Sequence, residues 1–248
     1  MPAPVLFYTD FGVAGPYLAQ AHAAVLAVEP RLTVLDACSD LPPFDARAAA
    51  YLLPAVAAHY PPGSVFVCVV DPGVGTERPA VVLEAGGRWF VGPDNGLFHA
   101  LAVQQGVTRC QRLAVPADLP SATFHGRDLF APAAARIALG QRDALPLLPH
   151  DADALRRPGW PDDLAEIVYI DRYGNAMTGL RGQAVPPASV VECRGRRFRP
   201  HEKFADVSAG AGLWYVNSLG LVEIAANRAP AATRFGLQVG DPVHVLSS

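Results

Sequence analysis

Val65-Phe-Val-Cys-Val-Val70, followed at once by Asp71-Pro-Gly-Val-Gly-Thr-Glu-Arg78, is the stretch on which the fold turns. An unbroken apolar run rich in β-branched residues reads as a strand covered on both faces, the pattern of a parallel sheet packed between helices. The loop after it carries a carboxylate and a guanidinium. In open α/β sheets, ligands bind outside the carboxyl ends of the strands. Toward the N-terminus, residues 5–8 form a similar run that ends in Thr9-Asp10-Phe11-Gly12. Residues 17–28 are Ala-rich with apolar positions at helical spacing, residues 32–35 read as a short strand, and residues 45–60 as a helix that Pro54 should kink or shorten. Toward the C-terminus, residues 81–83 and 89–91 flank Gly86-Gly87, a hairpin signal, and residues 95–105 and 127–139 read as helices. This alternation predicts an α/β N-terminal domain over residues 1–142 with a mostly parallel central sheet.

Residues 143–164 are rich in Pro and Asp and weakly periodic, and read as a linker. Beyond them, strand candidates at 167–170, 190–193, 197–198, 213–216, 222–225 and 242–246 follow at close spacing, punctuated by Gly, Pro and Asn. They predict a small all-β, barrel-like C-terminal domain over residues 165–248.

With 248 residues, 51% of them hydrophobic and 17% charged, the chain has apolar material for a sizeable core. A net charge of −3 offers no basic face for nucleic acid. Cys38, Cys68, Cys110 and Cys193 form no C-x-x-C pair, which disfavours a thiolate zinc site and fits a reducing compartment. The first residues lack the basic and apolar regions of a secretory signal, and no run nears the roughly 20 apolar residues that span a bilayer. A soluble, cytoplasmic protein with no membrane partner is expected.

Polar residues gather where apolar strands end: Asp10, Asp71, and Asp94 with Asn95 in Gly92-Pro-Asp-Asn-Gly96. Each is also a good turn or cap residue. Thr123-Phe-His-Gly-Arg-Asp128 precedes a helix, and Gly126 beside His125 permits close backbone approach to a ligand. His59, His99, His150 and His201 read as surface or helix positions. In the second domain, Asp171-Arg-Tyr173-Gly-Asn175 and Asn217-Ser218 are either polar turns or a platform for a flat ring. Neither Gly-x-Gly-x-x-Gly nor Gly-Lys-Ser/Thr is present, which disfavours a dinucleotide or triphosphate site. On the residues alone, a metal hydrolase with Asp71, Asp94, His125 and Asp128 as ligands and a nucleotide-binding module both stay open.

Seven motifs occur in order along nearly the whole chain: Thr9-Asp-Phe-Gly12, Asp40-Leu-Pro-Pro-Phe-Asp45, Val69-Val-Asp-Pro-Gly-Val-Gly-Thr76, Gly92-Pro-Asp-Asn-Gly96, Thr123-Phe-His-Gly-Arg-Asp128, Asp171-Arg-Tyr-Gly-Asn175 and Asn217-Ser218. The set resembles the S-adenosyl-L-methionine (SAM) hydroxide adenosyltransferase family, relatives of the SAM-dependent fluorinase and chlorinase. The resemblance implies the α/β and β-barrel domains, no metal or redox cofactor, and a homotrimer with SAM held between the N-terminal domain of one subunit and the C-terminal domain of the next. It implies that Asp10 binds the ribose hydroxyls and Phe44 packs near the ribose. Asn175 would read adenine and Tyr173 pack on it, with backbone around Ala226-Asn227-Arg228 finishing that pocket. Asp171 and Ser218 would hold the methionine amine and carboxylate. Asp94, Asn95 and Gly126 belong to the same expected substrate-binding set.

Halide-using relatives carry tyrosines where this chain has Asp71 and His125, whereas the water-using branch carries an Asp/Arg/His trio. Asp71, Arg78 and His125 are therefore expected to be catalytic, with water or hydroxide attacking ribose C5′ to give adenosine and methionine. A halogenase of the same family and a non-catalytic SAM- or adenosine-binding protein are the alternatives. Gly15, where relatives often have an acid, and Met177-Thr-Gly179, in place of a Thr-Asn ending, are departures at the methionine end.

Overall fold

A computed structural model describes residues 2–247, which fall into two compact units divided between Gly159 and Trp160. The N-terminal unit runs β1 (Val5–Thr9), α1 (Tyr17–Val28), β2 (Val34–Cys38), α2 (Ala46–Ala57), β3 (Val65–Val69), β4 (Ala80–Ala85), β5 (Arg88–Pro93), α3 (His99–Gln104), β6 (Val107–Leu113), α4 (Ala131–Ala138) and β7 (Leu147–Pro149). Its strands form one sheet in the order β2-β1-β3-β5-β4-β6-β7. The pairings from β2 to β5 are parallel, and those from β5 through β4 and β6 to β7 are antiparallel. The sheet is therefore mixed, not mostly parallel. The cause is the Gly86-Gly87 hairpin, which folds β4 back against β5 and places it next to β6.

β1 and β3 are buried along their whole length, as their unbroken apolar runs require. Phe7, Val67 and Val91 point to the side covered by α1 and α4, where Ala21, Val25, Ala131 and Ala134 let the helices lie close to the sheet. Tyr8 points the other way, and its hydroxyl donates to the Ala49 carbonyl of α2 at 2.7 Å. α2 starts on an Asp45 cap, whose carboxylate accepts from the Ala48 amide at 2.9 Å. Pro54 sits in its last turn, so the helix ends at Ala57 without a break in its middle.

The stretch 143–164, expected to be a linker, is largely built into this unit. β7 adds the last strand to the sheet, pairing Leu147 with Leu113, and a turn at Ala152–Leu155 follows. Pro-rich composition hid a three-residue strand too short to show periodicity.

Gly92 shows how closely β5 approaches β3. A Cβ at this position would lie 2.3 Å from the Cys68 carbonyl oxygen and 3.0 Å from the Phe98 ring. Gly92→Ala is expected to destabilise the protein by about 1–3 kcal/mol, the usual cost of overpacking, seen as a lower denaturation midpoint. An unchanged midpoint would mean that this backbone can move freely.

The C-terminal unit contains β8 (Leu164–Ile170), β9 (Ala176–Arg181), β10 (Val190–Cys193), β11 (Arg196–Phe198), β12 (Gly212–Val216), β13 (Leu221–Ala226), α5 (Ala231–Phe235) and β14 (Val243–Leu246). Two antiparallel sheets result, β11-β10-β14 and β12-β13-β9-β8. Single bridges Glu166↔Pro242 and Pro200↔Trp214 run between them. Trp214, Ile224, Val222, Phe198 and Val191 form the core, and the Trp214 indole donates to the Ser189 carbonyl at 3.0 Å. No described helix is long and apolar enough to cross a membrane.

Candidate active site

The loops that leave β1 and β3 at their carboxyl ends open on one cleft of about 430 Å³ in the N-terminal unit. Its wall includes Asp10, Phe11, Phe44, Asp71, Phe124 and His125. The segment before α4 closes one side through a π-helical turn at Gly126–Phe130. Glycine at the start of that turn leaves room for the Phe11 ring, which a Cβ on Gly126 would approach to 2.8 Å and have to displace.

Asp71, Arg78 and His125 meet in a single network. Arg78 Nε donates to both carboxylate oxygens of Asp71, at 3.1 and 2.9 Å, and Nη2 pairs with Oδ2. The same Nη2 lies 3.0 Å from His125 Nδ1. The ion pair is nearly dry, with side chains only 9% and 3% exposed for Arg78 and Asp71. Phe130 forms its floor: the guanidinium carbon lies 5.4 Å from the ring centre, and the His125 ring stands edge-on to it at 6.4 Å. A buried, bidentate arginine–carboxylate pair fixes the carboxylate's direction as well as its charge. Turn bonds within the 71–78 loop set the spacing, with the Val74 amide donating to the Asp71 carbonyl and the Thr76 hydroxyl to the Gly73 carbonyl at 2.7 Å.

His125 titrates below an ordinary histidine because it is buried and faces the Arg78 guanidinium. The native state thus keeps it neutral where the unfolded chain has taken up a proton. Its contribution to stability is present above the ordinary value of 6.5 and is lost as pH falls through the folded value. The slope of stability against pH below 6.5 is expected to be shallower in His125→Gln, measured by denaturant titration at several pH values; an unchanged slope would contradict the burial of the ring.

Asp10 leaves β1 and accepts the Phe44 amide on Oδ2 at 3.1 Å. Burial, with repulsion from Asp71 adding to it, raises its carboxyl above the ordinary aspartate range. Phe44 takes a left-handed φ of 64° and is 75% exposed. A bulky residue in that region is strained, and such strain clusters at ligand sites.

Two expected binding residues are elsewhere. Asp94 is held by Arg157 Nη2 at 2.6 Å and by His150 Nε2 at 3.0 Å, and does not face the cleft. Asn95 donates its amide to the Val70 carbonyl at 2.8 Å and accepts from the Leu97 amide at 3.3 Å. Asn95 thus braces the end of β3 from the side, while Asp94 ties the loop after β5 to Arg157 and His150. Asp128 pairs with its own neighbour Arg127. Asp71, Asp94, His125 and Asp128 therefore do not converge as the ligand set that the sequence left open. His99, read as a surface or helix position, is buried at the start of α3 and accepts the Arg157 amide at 3.0 Å, and His150 belongs to the Asp94 cluster. Sequence reading did not single out Phe11, Tyr17 or Phe124, whose rings form edge-to-face contacts along the cleft. Phe11 and Phe124 lie inside the Thr9–Gly12 and Thr123–Asp128 motifs, and their aromatic character is the signal that the sequence offers.

In the C-terminal unit, Asp171 organises one turn. Its Oδ1 accepts the amides of Tyr173 at 2.9 Å and Asn175 at 2.8 Å, and its Oδ2 accepts the Asn175 side chain at 3.1 Å. Tyr173 is left 79% exposed, while Asn175 is buried. Ser218 is exposed in a second turn, where Asn217 Oδ1 accepts the amides of Leu219 and Leu221, each at 3.0 Å. Asn217 also donates to Glu223 at 2.7 Å, and Glu223 accepts the Tyr215 hydroxyl. Burial, joined by repulsion from Asp171, raises the Glu223 carboxyl. Glu223 carried no motif and was missed. The Asn227 side chain is committed to the Val207 carbonyl at 2.7 Å, and Arg228 is exposed with a left-handed φ of 55°.

Known proteins resemble this chain along nearly its whole length. Family models for the SAM hydroxide adenosyltransferase N-terminal domain and C-terminal domain match residues 5–145 and 165–244. The chain is 41% identical to the (R)-S-adenosyl-L-methionine hydrolase of Thermus thermophilus over 98% of its own length and 99% of that protein's. It is 24% identical to a fluorinase of Nocardia brasiliensis over 97% of its own length and 96% of that protein's. A crystal structure of a conserved protein from Thermotoga maritima superposes with a TM-score of 0.81 at 29% identity, covering 98% of this chain and 100% of that one. With both domain models in place across the two units, the chain belongs to the SAM hydroxide adenosyltransferase family.

Proposed function

We propose that this protein hydrolyses SAM to adenosine and L-methionine by in-line attack of water on ribose C5′. The observation that carries the reading is the buried Asp71–Arg78–His125 network on the wall of a nucleoside-sized cleft. The Thermus relative, named for the same reaction, supports it. The sulfonium already activates C5′ and departs as a neutral thioether, so no acid is needed for the leaving group. What remains is to aim a water molecule and to keep competing solvent away. Asp71 and His125 contact the water, and Arg78 holds both. No step calls for a metal or redox cofactor.

Asp10 and Phe44 hold the ribose, and Gly126 lets the backbone come close. In the C-terminal unit, Asn175 and Tyr173 serve adenine together with the backbone at Asn227 and Arg228, while Asp171 and Ser218 serve the methionine end. The working assembly is a homotrimer; the exposed apolar side chains Tyr17 and Phe44 on the wall of an open cleft support burial by another subunit. The two bridges between the C-terminal sheets support a barrel-like closure. The four cysteines, Cys38, Cys68, Cys110 and Cys193, form no disulfide among the described residues, which supports a cytoplasmic site of action.

Incubation with SAM in oxygen-18 water tests the reaction. Label at the adenosine 5′-hydroxyl is expected; label absent from that oxygen, or no methionine release, would end the proposal. Halide use is the second reading, favoured by the fluorinase similarity. The Asp71 carboxylate stands against it, since a like charge beside a halide is repulsive. SAM incubated with chloride or bromide is expected to give adenosine without a halogenated nucleoside.

A further inference from the structure

We infer that His125 is locked as the neutral Nε2–H tautomer and acts on the nucleophile as a hydrogen-bond donor, not as its proton acceptor. The inference rests on the reading of the site given above but on a separate geometric fact. Arg78 Nη2 lies 3.0 Å from His125 Nδ1. A guanidinium has only donors and stays protonated in proteins, so Nδ1 must be the acceptor. A neutral imidazole that accepts on Nδ1 carries its proton on Nε2, because the bond made by one ring nitrogen sets the state of the other. Arg78 cannot swing away to release Nδ1, for its Nε and Nη2 are tied to Asp71.

The charged groups acting on the ring are Arg78, Asp71 and Asp128. Arg78 opposes a second positive charge, and the two carboxylates favour one. Burial sides with Arg78, so the ring stays neutral at pH 7. Nε2 has no protein partner among the described residues, and His125 lines the cleft.

A fixed donor beside a fixed carboxylate selects its nucleophile. Water accepts from His125 Nε2–H through one lone pair and donates a hydrogen to Asp71. The remaining lone pair forms the C5′–O bond as the C5′–S bond breaks and its electrons pass to sulfur. The water proton goes to the Asp71 carboxylate and from there to solvent. SAM and water thus become adenosine, methionine and one proton. A halide ion can accept from Nε2–H but has no hydrogen to offer Asp71, so the same pair of groups disfavours it without any steric barrier.

The test is nitrogen-15 NMR of the full-length protein labelled at histidine, with the His125 ring assigned by its loss in His125→Gln. At pH 7 the long-range proton–nitrogen pattern is expected to be that of a neutral Nε2–H ring. An Nδ1–H ring or an imidazolium would overturn the inference, whether or not the protein turns over SAM. The kinetic arm compares two variants. Glutamine can accept from Arg78 through its oxygen and donate through its nitrogen, so His125→Gln is expected to keep a tenth or more of kcat. His125→Leu, which does neither, is expected to lose about 10²–10³-fold, the usual loss of a catalytic donor. Equal inactivation of both, with folding and SAM binding intact, would make His125 the base and defeat the inference. Failure of the wild-type protein to release methionine would instead strike the proposed hydrolysis and leave the tautomer to the NMR result.

Discussion

Asp71→Asn is expected to lower kcat for SAM hydrolysis by about 10²–10⁴-fold, the range spanned by a positioned general base, while SAM affinity changes by less than about threefold. The amide keeps the size and can still accept from Arg78 through its oxygen, so the wall of the cleft is preserved. It cannot take the water proton, and it removes the charge that aligns the water. Because the carboxylate is only 3% exposed and is directed by Arg78, solvent is poorly placed to stand in for it. The measurements are single-turnover methionine release and calorimetric SAM binding on the same preparation. Parallel losses in both would reduce Asp71 to a binding group.

Arg78→Met is expected to cost about 3–5 kcal/mol of stability, the usual result of stripping one partner from a buried ion pair. Methionine fills much of the arginine stem and can still lie against Phe130, so the loss reports the stranded Asp71 charge and not a cavity. The companion Asp71→Asn/Arg78→Met should recover part of the loss, because the stranded charge is gone. Denaturant titrations of the two variants and the wild type give the comparison. A loss below about 1 kcal/mol in Arg78→Met would show that water reaches Asp71 freely, and a double variant no better than Arg78→Met would show that charge is not the cause. Catalysis should fall as well, since Arg78 also holds His125 Nδ1.

Much of the architecture was legible in short patterns. The apolar runs of β1 and β3, the Ala-rich length of α1 and the Gly86-Gly87 hairpin all stand where the residues put them. β6 was missed because Val107–Leu113 includes Thr, Arg and Gln and is half-exposed, so it carries no continuous apolar run. β9 carries little strand signal because Ala and Gly are poor strand formers, and its place comes from pairing with β8 and β13 on either side. Of the candidate site, the trio and Asp10 came together as expected, whereas Asp94 and Asn95 did not. Their motif has the same turn chemistry as the others. What sets Asp94 apart is the company of Arg157 and His150, more than 50 residues away in sequence, and what holds Asn95 is the Val70 carbonyl at the end of β3.

By itself the sequence determined the two-part organisation and the strand ends that bear the polar loops. These are local properties, set by side-chain periodicity, turn residues and chemical type. Only the tertiary structure decided which of those polar residues share a cleft, which ones lie elsewhere, and which nitrogen of His125 faces Arg78. Those outcomes hang on distances near 3 Å between groups far apart in the chain, and no local pattern encodes such a distance.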